Sequence, residues 1–328
     1  MRMFRRLALG ASMFALALSA CSTGGGGATS GASSGATAGA TAGPTTAATQ
    51  AQSATIKIGS DGFDEARVVA EVYAQALEGA GFTVDRAGIG LGTREVTAAA
   101  IESGEINLKP EYIGSGLTFY GGTSGRSSDE NQAALQEKLS AIGGGITVLD
   151  YTPAQDTNAF VVRAETATEF NLTKMSDVAP VQNDLKWALA TDCPTNPLCA
   201  KALKDDYGLD PDDVTLLDAC SGPMADALLK KTVDVAELCS TGPEITTNGW
   251  VVLEDDKQTQ PADNLAPIVR NDLLAGVDQA LFEKTLNDVS AKIDTATLAQ
   301  LYYDVTVNKK DLADVASAWL QSVGLAGA

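Results

Sequence analysis

Residues 55–108 read TIKIGSDGFDEARVVAEVYAQALEGAGFTVDRAGIGLGTREVTAAAIESGEINL, and this stretch decides the fold. Residues 55–60 alternate between apolar and polar side chains, as in a short strand. Apolar residues from Val68 to Leu77 then recur at spacings of three and four, which predicts a helix. Glycines at positions 79 and 81 end that helix, and residues 82–84 predict a second strand.

The second half of this stretch repeats the pattern. Residues 88–92 carry three glycines and predict a loop, and Thr93 is placed as the N-cap of a helix over residues 94–102. Residues 106–108 predict a third strand, which leads into Pro110-Glu111-Tyr112. Strands that alternate with helices are typical of the α/β class.

The alternation continues to the end of the chain. Further strands are expected at residues 146–149, 159–162, 187–190, 214–217, 233–238, 250–253 and 266–269. Further helices are expected at residues 130–142, 199–207, 223–231, 279–293, 295–303 and 311–321.

Composition excludes several classes of function. Among 328 residues there are 23 Lys and Arg against 42 Asp and Glu, a formal charge of −19. Nucleic-acid binding needs clustered cations, so no nucleic-acid partner is expected. The chain has no histidine, which removes Ser-His-Asp and Cys-His nucleophile systems and the common imidazole metal ligand. We therefore expect no catalytic residue, no metal site and no cofactor.

The N-terminus has the layout of an export signal. Arg2, Arg5 and Arg6 precede an apolar stretch over residues 7–18, which is too short for a membrane span. It ends in Leu-Ser-Ala-Cys at residues 18–21, which resembles a bacterial lipobox. We expect residues 1–20 to be a signal peptide and Cys21 to be lipidated. Residues 21–54 would then be a flexible Gly/Ala/Ser/Thr linker.

Four more cysteines remain, at positions 193, 199, 220 and 239. An even number in an exported chain favours two disulfides. Of the three possible connectivities we favour Cys193–Cys199 and Cys220–Cys239. A zinc site is the alternative, but the spacing matches no common zinc motif.

A series of motifs resembles the glycine betaine/choline/carnitine family of ABC-importer binding proteins, the osmoprotectant group with OpuAC-like domains. The motifs that carry the resemblance are Ile58-Gly59-Ser60 with Phe63, Gly90-Leu91-Gly92-Thr93-Arg94-Glu95-Val96, Glu102-Ser103-Gly104-Glu105-Ile106, Pro110-Glu111-Tyr112-Ile113-Gly114-Ser115, residues 153–160 (PAQDTNAF), residues 218–223 (DACSGP), residues 239–245 (CSTGPEI), and residues 251–257 with 266–270. They cover residues 55–325 in the family's order.

The resemblance implies a type II periplasmic-binding-protein fold, with two lobes of mixed sheets flanked by helices and a ligand cleft between them. Lobe one would be residues 55–153 plus 260–328, and lobe two residues 154–259. The protein would be a monomeric, extracytoplasmic solute-binding component of an ABC importer. Its partners would be a permease with ATPase subunits, a small solute, and the membrane through the N-terminal lipid.

The resemblance also implies a site for a small zwitterionic or quaternary-ammonium solute. Tyr112 keeps one position of the family's tyrosine cage, and Phe63 and Phe160 are the nearest further aromatic candidates. The expected polar contacts are Asp61, Gln155, Asp156, Asn158, Ser221 and Thr241. Thr93 and Arg94, with the helix N-terminus that follows, could hold a carboxylate.

Three alternatives stay open from the sequence. The same fold could bind a different small polar solute, or serve as a sensor. The chain could also be an exported, carboxylate-dependent enzyme, which would need two carboxylates with separated pKa values in one pocket.

Overall fold

The computed structural model describes residues 54–326 apart from residues 192, 195 and 218–220. The expected signal peptide, Cys21 and most of the expected linker lie outside the described residues. Within the described part, no helix combines the length and the apolarity needed to cross a membrane.

The first sheet has five strands in the order β2-β1-β3-β10-β4. Its strands are β1 (Ile56–Asp61), β2 (Val84–Gly92), β3 (Leu108–Tyr112), β4 (Ile146–Val148) and β10 (Leu265–Arg270). β1 pairs in parallel with β2 and β3, while β10 runs antiparallel to both β3 and β4. The sheet is therefore mixed, and β10 comes from a much later part of the chain than its other four strands.

In the described part of the chain, eight helices accompany this sheet. They are α1 (Asp64–Gly79), α2 (Arg94–Ser103), α3 (Ile113–Phe119), α4 (Ser128–Ser140), α9 (Asn271–Leu274), α10 (Gln279–Ser290), α11 (Thr295–Thr306) and α12 (Leu312–Ser322). Most residues of α1 are buried because the helix packs between the sheet and helices α10, α11 and α12. Two buried apolar clusters fill the space beside the sheet.

The second sheet also has five strands, in the order β7-β6-β8-β5-β9. Its strands are β5 (Asn158–Val162), β6 (Trp187–Ala190), β7 (Val214–Leu217), β8 (Val235–Cys239) and β9 (Val251–Val252). Its helices are α5 (Ala164–Phe170), α6 (Ala202–Tyr207), α7 (Gly222–Leu229) and α8 (Pro243–Asn248), with short 3-10 helices at Met175–Asp177 and Ala179–Asp184 and a π turn at Pro197–Lys201. Separate apolar clusters fill its core, one of them around Trp187.

The chain passes between the two sheets twice, from β4 to β5 and from β9 to β10. An isolated bridge between Gln155 and Asn264 joins these two connections. The two crossings agree with the architecture expected from the sequence. The exact lobe boundaries at residues 153 and 259 stay a prediction.

The prediction of a loop at residues 88–92 is wrong, because these residues form the second half of strand β2. Gly59 of β1 lies opposite Gly88 of β2 at a break in the register. A Cβ atom on Gly88 would lie 2.6 Å from a methyl carbon of Ile106 and 2.8 Å from the Ile58 carbonyl oxygen. The glycines allow close approach of buried elements, so they do not mark a turn here.

The first predicted disulfide is confirmed, since Cys193 and Cys199 are bonded with Cα atoms 5.0 Å apart. Both side chains are buried in the core of the second sheet. Cys220 lies outside the described residues, so the pairing Cys220–Cys239 stays a prediction.

Loss of the Cys193–Cys199 bond should destabilise the protein modestly. Closing so short a loop removes unfolded-state entropy worth about 2 kcal/mol. We expect the variant Cys193→Ala/Cys199→Ala to melt about 5 °C below the wild type in calorimetry. Each single alanine variant should melt close to the double variant, because either change removes the bond. A double variant that melts with the wild type would contradict this assignment.

Candidate ligand-binding site

The candidate site lies where elements of the two sheets face each other. Tyr112 ends β3, and Glu65 lies in the first turn of α1. Asp156 lies in the first connection between the sheets, and Thr241 follows β8 of the second sheet. The Tyr112 hydroxyl donates a hydrogen bond to Glu65 Oε1, and the Asp156 carboxylate accepts a weak bond from the Thr241 backbone N–H at 3.4 Å. Both sheets therefore contribute to one buried polar cluster.

An aromatic pair borders this cluster. The rings of Phe63 and Tyr112 stack with centroids 6.5 Å apart and planes at 22°. Phe63 is 44% exposed although it is a large apolar residue, whereas Tyr112 is buried. An exposed ring next to buried carboxylates is suited to contact a cation, because the ring face is negative.

Glu65 is the most unusual group of the site. Its side chain is 1% exposed, and its Oε2 atom has no hydrogen-bond partner. Burial, reinforced by the nearby Asp156 carboxylate, raises the pKa of Glu65 to about 8, although the hydroxyls of Tyr112 and Thr241 act in the opposite direction. Burial also raises the pKa of Asp156. Two neighbouring carboxylates in a desolvated place cannot both ionise without cost.

Two further groups continue this acidic region. Burial raises the pKa of Glu244 in α8, and the Asp156 carboxylate adds to the effect. Tyr302 of α11 has a raised pKa, first because of burial and then because it faces Glu65 and Glu244. Helices α8 and α11 come from opposite sheets and contact each other. The acidic cluster is thus covered from both sides.

A second buried cluster beside the site has balanced charges. Lys109 is 1% exposed, and its ammonium group contacts Asp61 at 3.1 Å and Glu111 at 3.0 Å. The Arg94 guanidinium donates to Glu111 at 3.1 Å and to the Ser115 hydroxyl at 2.8 Å. The two cations and the two carboxylates thus form ion pairs with one another, as buried charges require. Asp61 and Arg94 belong to this network, and their described contacts are with protein groups.

Asp263 anchors the return connection to the first sheet. One of its carboxylate oxygens accepts hydrogen bonds from the Gly114 and Ser115 backbone N–H groups at 2.7 and 3.0 Å. Burial raises the pKa of Asp263 to about 6, while these two bonds act in the opposite direction. This carboxylate thereby fixes the start of α3 directly after Tyr112.

The structure brings together four of the residues predicted for the site, namely Phe63, Tyr112, Asp156 and Thr241. The other residues predicted for the site make different contacts. Asn158 donates to Glu237 at 3.0 Å within the second sheet, and the Ser221 hydroxyl caps α7. Thr93 stands at the N-cap position of α2, but its side chain makes no capping bond. Phe160 is buried against Trp187, so it is a core residue.

Gln155 faces a separate cavity of about 510 Å³ between the two connections, which Thr157, Ser240 and Thr295 also line. Neighbours in an extended chain point to opposite sides. Gln155 and Thr157 therefore face this cavity while Asp156 points towards Glu65.

Sequence reasoning missed Glu65, Glu244 and Tyr302 as members of the site. Glu65 looked like an ordinary acidic residue in the first turn of a helix, where such residues are common. The signal that could have found it is its place two residues after Phe63, within the first motif of the resemblance. Tyr302 lies in a C-terminal helix, where core packing is the usual role of an aromatic residue.

Comparison with known proteins decides the family. The model of the substrate binding domain of ABC-type glycine betaine transport systems matches residues 54–322, which is nearly the whole described part. The chain belongs to this family. The substrate-binding domains of ABC importers work outside the cytoplasmic membrane with permease and ATPase subunits, and they bind small solutes.

Individual relatives agree with this assignment. The chain is similar to the glycine betaine-binding protein YehZ of Escherichia coli, with 28% identity over 83% of this chain and 92% of the relative. It is also similar to the carnitine transport binding protein OpuCC of Listeria monocytogenes, with 25% identity over 81% and 86% of the two chains. The solved structure of ligand-free YehZ superimposes with a TM-score of 0.72 over 83% of this chain and 99% of that one, at 25% identity. The type II fold expected from the sequence is confirmed.

Proposed function

We propose that this protein binds a small quaternary-ammonium or zwitterionic solute between its two sheets and delivers it to an ABC permease. The observation that carries the proposal is the stacked pair of Phe63 and Tyr112 beside the buried carboxyl of Glu65, at the place where the sheets meet. Aromatic faces attract such cations by about 0.5–2 kcal/mol each. The relatives named above bind glycine betaine or carnitine, which supports the same solute class here.

The mechanism follows from the two crossings of the chain. Because Glu65 and Tyr112 belong to one sheet and Thr241 to the other, a solute that contacts all three favours the form in which the sheets approach each other. The solute shifts that equilibrium only through its higher affinity for the closed form. The permease would then recognise the closed form. No reaction of the solute is part of this proposal.

The N-terminal features complete the proposal. Removal of residues 1–20, lipidation of Cys21 and a linker over residues 21–54 would tether a monomeric binding domain to the outer side of the membrane. The variant Cys21→Ser should appear in the soluble fraction of cells in which the wild type fractionates with membranes.

Titration calorimetry of the purified domain tests the solute class. The panel is glycine betaine, choline, carnitine, proline betaine and ergothioneine, with glucose and glutamate as solutes of other classes. We expect at least one member of the panel to bind with a dissociation constant below about 100 μM, or −5.5 kcal/mol. Binding of glucose or glutamate alone, or of nothing, would overturn the proposal.

A further inference from the structure

One buried oxygen atom in the cluster of Glu65, Asp156 and Tyr112 lacks a hydrogen-bond partner. Glu65 Oε2 is buried and has no hydrogen-bond partner, while Oε1 accepts from Tyr112. Buried polar atoms are nearly always paired, and an unpaired one costs about 1–3 kcal/mol. Once Glu65 is ionised, this oxygen, which lies between two sheets that close on a solute, has no hydrogen-bond donor among the described residues.

In the described part of the chain, the carboxyl groups around this oxygen also have no positively charged side chain paired with them. Among the described residues, no Lys or Arg forms an ion pair with Glu65 or Asp156, and the nearby cations Lys109 and Arg94 are engaged by Asp61 and Glu111. The ionisable groups that face Glu65 are Tyr112 from β3, Asp156 from the first connection and Tyr302 from α11, with Glu244, Asp263 and Asp64 beyond them. All of these groups are neutral or negative, and the cations nearest to them are Arg67, which pairs with Asp64, and Arg94, which lies near Asp263.

We infer that Glu65 and Asp156 bind the positive group of the solute, and that this solute is an organic monocation with an O–H or N–H donor and without a carboxylate. The inference rests on the proposed function and narrows it. A zwitterion would bring a negative group into a region where the described cations are already paired. A monocation would supply the missing positive charge, and its donor would satisfy Glu65 Oε2.

Binding of such a cation should release a proton. The raised pKa of Glu65 means that this carboxyl is largely protonated at pH 7 in the empty protein. A bound cation favours the carboxylate, so the proton leaves to solvent as the cation enters. Affinity for the cation should therefore increase as the pH rises from 6 towards 8, and the increase should level off above the pKa of Glu65.

The test uses titration calorimetry with three probes, namely choline, tetramethylammonium and glycine betaine. Choline has a cation and an O–H donor, tetramethylammonium lacks the donor, and betaine carries a carboxylate. We expect choline to bind at least about tenfold more tightly than either of the others, or 1.4 kcal/mol. The proton released on binding is taken up by the buffer. The binding enthalpies of choline measured in phosphate and in Tris at pH 7.4 should therefore differ by most of the difference between the protonation enthalpies of the two buffers.

Two variants separate a binding role of Glu65 from a structural one. Glu65→Gln should lower choline affinity at least tenfold and abolish proton release. It should melt no lower than the wild type at pH 7.4, because a buried neutral amide replaces a carboxyl that is difficult to ionise. Glu165→Gln is the matched control, since Glu165 is an exposed residue in the first turn of α5. It should leave affinity and proton release unchanged.

The outcomes distinguish this inference from the proposed function. Betaine binding as tight as that of choline, or Glu65→Gln with wild-type choline affinity, would overturn the inference and leave the proposed function standing. Equal binding of tetramethylammonium and choline would overturn the donor assignment. Failure of all three probes to bind the wild type would count against both proposals.

Discussion

The variant Lys109→Met should lower the free energy of unfolding by about 3–5 kcal/mol, one of the two largest effects expected of a single substitution here. The Lys109 ammonium is buried and contacts Asp61, Thr97 and Glu111. Methionine fills a similar volume, so packing is largely kept while the charge is lost. Asp61 then remains buried without its cation. Urea denaturation followed by circular dichroism measures the change.

Two controls make this result specific. Lys138→Met replaces an exposed lysine of α4 and should change stability by less than about 0.5 kcal/mol. Adding Asp61→Asn to Lys109→Met should restore part of the loss, because the unpaired carboxylate is removed. A Lys109→Met protein within about 1 kcal/mol of the wild type would show that the network is not a buried ion cluster.

The second large effect concerns the ring of Tyr112. Tyr112→Ala should weaken solute binding by about tenfold or more, because it removes the ring that stacks on Phe63 and that we propose contacts the cation. Tyr112→Phe keeps the ring and removes only the hydroxyl that donates to Glu65. Its affinity should stay within about threefold of the wild type. Calorimetric titration with the tightest ligand of the panel measures both variants.

Stability must be measured beside affinity for this pair. Tyr112→Ala also creates a cavity and should lower the free energy of unfolding by about 3–5 kcal/mol, so titrations belong at a temperature where the variant is folded. Equal loss of affinity in the alanine and phenylalanine variants would contradict a role for the ring and would assign the effect to the hydroxyl.

Much of the fold could be predicted from periodicity and from the order of the motifs. Strand β6 and the C-terminal helices appear where apolar spacing places them, because their burial pattern is set by local sequence. Residues 88–92 could not be predicted in this way. Gly88 lies close to Ile58 and Ile106, and these contacts exist only in the folded sheet.

The site was less accessible to sequence reasoning. The resemblance implies Asp61 and Arg94 as ligand contacts, and the structure places them with Lys109 and Glu111, where their charges are matched; their contact with a ligand stays a prediction. Apart from its place two residues after Phe63, nothing in the sequence separates Glu65 from other acidic residues at helix starts. Its importance follows from burial and from the absence of a partner for one oxygen, which are properties of the folded protein.

A crystal structure of the domain grown with choline tests the central claim most directly. The account predicts one choline between the sheets, with its nitrogen about 4–6 Å from the Tyr112 ring centre, its hydroxyl within hydrogen-bond distance of Glu65 Oε2, and Thr241 covering it from the second sheet. Choline bound elsewhere, for instance in the surface cavity of about 780 Å³ beside Asp304 and Trp319, with the Glu65 region unchanged, would contradict it.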